Sequence, residues 1–208
     1  MPDSRLRRPV LALNDYHLVS NWRVLGTVDE VYEIVSQTRD FARWWPAAFL
    51  EVLELQPGDE RGIDRVDRFE TRGWLPFTLL WHSNVIEAQR PFGFKIEVWG
   101  DFEGTGEWRF EQNGAWTDAS FDWRVRVNKP RLGFLSPLFK PLLTSNQRWA
   151  MAKGEESLRL ELAKRHAASE TERSGLPAPP APASFPTIPL LIGVGALIGV
   201  VLWRRSHR

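Results

Sequence analysis

PLFKPLLTSNQRWAMAKGEESLRLELAKRHA (residues 137–167) is the stretch whose periodicity decides how the rest of the chain is read. Leu143, Ala150, Met151, Gly154, Leu158 and Leu162 recur at helical spacing and share one broad face, so the stretch reads as one long helix. Gly154 falls mid-helix, where it costs about 1 kcal/mol against Ala. A close neighbour or a bound molecule on that face accounts for such a residue. A glycine tolerated on the solvent side is the plain alternative.

The segment before it, FDWRVRVNKP (residues 121–130), alternates strictly. Phe121, Trp123, Val125 and Val127 face one way and Asp122, Arg124 and Arg126 the other, the pattern of a strand with one buried and one wet face. Trp108 and Phe110 against Glu107 and Arg109 repeat it. A sheet with one apolar face needs a cover, and the long helix is the amphipathic element available.

Further back, residues 49–55, 63–72, 77–87, 94–102 and 107–111 read as strands. They are separated by Gln56-Pro57-Gly58-Asp59, Gly73, Arg90-Pro91 with Gly93, Gly104 with Gly106, and Asn113-Gly114. Short turns between regular strands indicate antiparallel pairing, and Asn113-Gly114 predicts a type I′ hairpin turn. A first strand spans residues 15–26, with Leu18, Trp22 and Leu25 apolar. Thr27 and Glu30 then form a T-x-x-E capping box, followed by Val28, Val31, Tyr32 and Val35 at helical spacing to about Gln37. A second short helix over residues 38–45 puts Phe41, Trp44 and Trp45 on one side and stops before Pro46. The order is strand, two short helices, six strands, long helix.

A chain of 208 residues holds one ordinary domain plus additions. Of its 11 Trp, ten lie before the apolar tail, which favours a core or cavity walled by large flat side chains. Net charge is +1, so no global field argues for nucleic acid. Cys is absent, which excludes disulfides, thiolate catalysis and Cys-based zinc sites. His17, His82, His166 and His207 show no metal-ligand spacing. No metal and no cofactor is expected.

The N-terminal extension, residues 1–14, lacks the apolar run of a secretory signal. The folded domain is expected over residues 15–168. A Pro/Ala-rich linker follows over 169–184, stiffest where Pro177, Pro179, Pro180 and Pro182 fall. Residues 185–203 carry no charge and as a helix would measure roughly 28 Å, against a hydrocarbon thickness of about 30 Å. With Trp203 and the basic tail 204–208 they predict a C-terminal transmembrane helix anchoring a cytoplasmic domain. Gly195 and Gly199 form a G-x-x-x-G that would let two such helices meet as a homodimer; the plain reading is that glycines are common in spans.

The element order resembles the SRPBCC superfamily, the START-like or helix-grip proteins, in its polyketide cyclase/dehydrase and lipid-transport branch. GTGEWRFEQNG (104–114), FDWRVRVNKP (121–130) and WAMAKGEESLRLEL (149–162) carry the resemblance, which covers about residues 15–167. It implies an α+β helix-grip fold: a curved antiparallel sheet of about seven strands gripping the C-terminal helix, with an apolar ligand between them. It does not imply a reaction, because the fold hosts many activities.

Two functions compete. The first is membrane-anchored binding of a lipid, quinone or polyketide-like aromatic, with Trp108, Phe110, Phe121, Trp123, Met151 and Gly154 as ligand contacts. The second is a cyclase/dehydratase, in which His82, Asp101, Glu103 or Glu107 would supply acid–base chemistry and Arg124 an oxyanion partner. Against it, a lone histidine is usually structural, acids beside turns are usually solvated, and Glu107 and Arg124 fall on the wet face. A purely structural role, with Arg124, Arg126, Lys129 and Arg131 near acidic head groups, is a third reading.

Overall fold

The computed structural model of the chain describes residues 15–128 and 136–184. The expected extension 1–14, Lys129 and Arg131, the apolar run 185–203 with Gly195 and Gly199, and the tail 204–208 lie outside the described residues. Among those described, no helix is long and apolar enough to cross a membrane.

The elements are β1 (Asp15–Leu25), α1 (Val28–Ser36), a 3-10 turn (Thr38–Asp40) running into α2 (Phe41–Trp44), then β2 (Phe49–Gln56), β3 (Val66–Thr71), β4 (Leu79–Gln89), β5 (Gly93–Gly100), β6 (Phe102–Asn113) and β7 (Trp116–Val127). The long helix α3 (Ser136–His166) follows, and then a short α4 (Glu170–Gly175). The strands form one seven-stranded sheet in the order β1-β7-β6-β5-β4-β3-β2. Every neighbouring pair is antiparallel. The α1–α2 excursion carries the chain from one sheet edge to the other. This leaves β1 free to pair with β7, from Asp15↔Arg126 to Leu25↔Trp116.

The capping box at the start of α1 is present. Glu30 N donates to Thr27 Oγ1 at 3.3 Å, and Thr27 N donates to Glu30 Oε2 at 2.9 Å. Val28, Val31, Tyr32, Ile34 and Val35 then bury one face of the helix. Helix α3 buries Met151, Gly154, Leu158 and Leu162, with Leu143 and Ala150 half-buried on the same face. The alternation in β7 holds, since Phe121, Trp123, Val125 and Val127 are buried.

Gly154 has a close-neighbour explanation. A Cβ placed there would lie 2.5 Å from Trp45 Cε2 and 2.8 Å from Trp22 Cζ2, so the helix can approach the indoles only without a side chain at that position. The Trp45 indole then donates from Nε1 to the Ala150 carbonyl at 3.1 Å.

Two local expectations are corrected. Gly104 and Gly106 do not form a turn; both lie inside β6, paired with Val125 and Trp123. A Cβ on Gly106 would lie 2.8 Å from Trp123 Cζ3 and 3.0 Å from Phe121 Cε2, whereas Gly104, at φ +148°, lies against the Arg124 backbone of the paired strand. The β6–β7 hairpin closes through Gly114-Ala115 between the paired Asn113 and Trp116. Gly114 alone takes positive φ there, at +63°, which is a glycine-first turn of type II′ rather than the Asn-Gly type I′. Beyond α3, Ser169 caps α4 by accepting Glu172 N at 3.2 Å, and Arg173 Nε reaches back to the Lys164 carbonyl at 3.2 Å.

Candidate ligand cavity

The inner face of the sheet is paved with rings because each of its strands buries at least one aromatic residue. Phe69 of β3 stacks on Trp81 of β4 at 4.2 Å between centroids. Trp81 meets Trp123 edge-on at 5.7 Å, Trp123 stacks on Phe121 at 5.3 Å, and Phe121 on Trp108 at 4.6 Å. Ring pairs at these separations prefer offset or edge arrangements, which fixes each side chain against the next.

Between this pavement and α3 lies a cavity of about 120 Å³. Trp108, Phe121, Trp123 and Met151, all expected as ligand contacts, line it. Phe110 and Gly154 are buried but do not: Phe110 stacks on Trp108 at 5.7 Å, and Gly154 is covered by Trp45 and Trp22. Trp81, Phe69, Trp45 and Phe41 also belong to the aromatic wall.

One end of the cavity is closed by the β3–β4 connection. Asn146 of α3 accepts the Leu75 amide at 3.1 Å, and Asn146, Arg72 and Gly73 line that end. The opposite end is polar. Thr38, Arg65 and Ser83 line it. Behind them Asp67 is fully buried, accepting from Thr38 Oγ1 at 2.8 Å and from Arg65 Nε at 3.0 Å through the same oxygen, Oδ2. These polar residues escaped the sequence reading. A signal was present: Asp67 and Ser83 each occupy an inward position in a period-two strand, beside Phe69 and between Trp81 and Val85.

The acid–base candidates lie elsewhere. None of His82, Asp101, Glu103 and Glu107 lines the cavity. His82 stacks on Trp99, centroids 5.4 Å apart, on the outer face of the sheet. Asp101 accepts the Leu80 amide at 3.0 Å, and Glu103 accepts from Asn128 Nδ2 at 2.8 Å. Glu107 is held by Arg109 at 2.7 Å. Arg124 pairs with Asp122 at 2.9 Å, which holds the Asp122 carboxyl below its ordinary value. Arg126 pairs with Asp15 at 2.8 Å. Among the described residues no group of three His, Asp or Glu side chains is placed to hold a metal ion.

Neither a protein-family model nor a curated protein sequence matches the chain. Solved structures do. The Zhui aromatase/cyclase from Streptomyces sp. R1128 superposes with a TM-score of 0.60 at 17% identity, covering 75% of this chain and 98% of that one. A START superfamily protein from Mycobacterium smegmatis gives 0.56 at 13% identity, covering 69% and 94%. The di-domain ARO/CYC StfQ from the steffimycin biosynthetic pathway gives 0.53 at 13% identity, covering 73% of this chain and 52% of that one. The class is thereby defined: this chain has the START-like helix-grip fold shared with aromatase/cyclases. At these identities the likeness is one of fold alone.

Proposed function

We propose that this chain binds a hydrophobic small molecule in the cavity between the sheet and α3, and that residues 185–203 hold the domain at a membrane. The observation that carries the binding reading is the cavity itself. It is walled by Trp108, Phe121, Trp123 and Met151, and a ring buried among them gains roughly 25 cal/mol per Å² of apolar surface removed from water.

At about 120 Å³ the space is smaller than the roughly 300–1,000 Å³ of ordinary ligand sites. As closed it takes one ring; a larger lipid or quinone requires the β3–β4 connection to move off Asn146. Binding is preferred to cyclase chemistry because His82, Asp101, Glu103 and Glu107 all lie outside the cavity. The membrane part rests on the sequence of residues 185–203.

Organic extraction of the purified full-length protein, followed by mass spectrometry, tests this reading. A stoichiometric hydrophobic compound is expected, and it is expected to be depleted in Met151→Trp, which fills the space. Extracts empty of such a compound, from protein purified without detergent exchange, would count against it.

A further inference from the structure

We propose that the outer face of the sheet docks the chain's own N-terminal segment, residues 5–13, laid back along β1. This surface is separate from the ligand cavity and does not depend on what the cavity holds.

A trough of about 790 Å³ crosses that face. Asn21, Ser120, Arg109, Gly93 and Gln89 lie side by side across five strands and form one row of its lining. Gly93 and Ser120 put little bulk there, which leaves the row open as a floor. With strands about 4.8 Å apart the row is about 19 Å long, the shape of an extended chain. Within the lining Arg23 pairs with Asp118 at 3.7 Å, Lys95 with Glu87 at 3.3 Å and Arg109 with Glu107 at 2.7 Å. Glu155 and Glu111 line it too. Arg159, outside the lining, answers Glu155 at 2.6 Å, whereas Glu111 has no charged partner among the described residues. The trough therefore favours a basic, extended guest.

The segment before β1 has the matching pattern. Arg5, Arg7 and Arg8 stand against Asp3, and Val10, Leu11 and Leu13 follow. It joins the sheet at Asp15, where β1 begins. The outer edge of β1 is already engaged by α3. Lys140 Nζ donates to the Asp15 carbonyl at 2.9 Å, Glu155 accepts the Arg23 amide at 3.1 Å, and Arg159 donates to the Arg23 carbonyl at 3.1 Å. The outer face is the route left. Length agrees: Asp15 to Asn21 is about 20 Å of strand, and residues 9–14 in extended form span about as much. Counted back residue for residue, Val10 comes over Val19, which is 56% exposed, and Arg8 comes to Asn21. Glu111 of β6 lies two strands in from β1, about 10 Å, which the chain from Arg8 to Arg5 covers.

The chain has no Cys, so Ser4→Cys takes a single nitroxide label. The sample is full-length ¹⁵N-labelled protein in phosphatidylcholine nanodiscs, whose neutral lipid does not compete for the arginines. The amide signals of Ser120 and Arg109 are expected to fall to less than half of their intensity with the label reduced. In about 1 M salt, where the screening length shrinks to about 3 Å, most of that loss is expected to be reversed. Glu111→Lys is expected to lower the ratio of docked to free segment about threefold. Ser120 and Arg109 signals that the label leaves unchanged overturn the docking. Broadening that persists in both high salt and Glu111→Lys overturns the ionic recognition. A mixture of ¹⁵N-labelled chains without nitroxide and unlabelled chains with it is expected to show no broadening; broadening there assigns the segment to a second copy and overturns docking within one chain.

Discussion

Gly154 of α3 and Trp45, just after α2, meet so closely that the helix has no room for a β-carbon there, and the same indole donates to the Ala150 carbonyl one turn earlier. The pair fixes the height of α3 above the sheet. Gly154→Ala therefore sets about 1 kcal/mol of gained helix propensity against a clash with two indoles. Overpacking in a dense core costs about 1–3 kcal/mol, so the variant is expected to be less stable on balance by up to about 2 kcal/mol. Urea denaturation would measure it, and a Trp45→Phe background should recover part of the loss.

Asn146 is the tie between α3 and the connection that closes one end of the cavity. Asn146→Ala removes the acceptor of the Leu75 amide and should cost about 1 kcal/mol of stability. Its distinctive sign is local: hydrogen exchange should quicken at Leu75 while amides of β6 and β7 keep their protection.

Arg43 and Glu161 join α2 to α3 through two hydrogen bonds of 2.8 and 2.9 Å. The Glu161 side chain is 10% exposed and that of Arg43 56%, so solvent screens the pair from one side. Arg43→Met leaves the glutamate without its bidentate partner, and after discounting for that screening about 1–2 kcal/mol should be lost. Glu161→Gln should cost less, because it removes the charge together with the need to balance it. Thermal melts of the two single variants and the double variant would separate these contributions.

Glu30 predicts an acid response. The Thr27 amide, and then His166, hold its carboxyl below the ordinary value of 4.5. A depressed carboxylate contributes stability that is fully present above the ordinary value and is lost as pH falls through the lower, folded one. Glu30→Gln should therefore flatten the decline in melting temperature below about pH 4.5 while leaving the slope above pH 6 unchanged. An unchanged acid limb would refute the assignment.

Removal of residues 185–208 should release the protein from membranes into the soluble fraction. Sedimentation of the shortened chain with membranes would contradict the anchor.

The fold was legible because period two and period 3.6 are written plainly in β7 and α3, and because Thr27 and Glu30 announce a helix start. Gly104 and Gly106 misled because glycine in sequence signals a turn, whereas here the Trp123 ring crosses Gly106 and the neighbouring strand's backbone at Arg124 closes in on Gly104. That crowding is a property of register, which alternation alone does not supply. Trp108, Phe121, Trp123 and Met151 could be placed at the cavity because inward strand positions and the covered helix face were both readable. Phe110 and Gly154 shared those faces and still missed the cavity, since rings pack over them. The polar end depends on β3 pairing with β4 to bring Asp67 beside Ser83, a long-range register that no local motif encodes.

The indole of Trp45 and the fork of Arg43 clamp the same stretch of the long helix at two points a few turns apart. That helix is thus a fixed beam rather than a lever, and lifting it would drag the neighbouring short helix along. Passage of a guest would fall to the seven-residue connection after β3, whose retreat leaves both clamps intact. Traffic through this domain would then be set by the speed of one swinging strap, and cargo of different girth would enter by the same door at different rates.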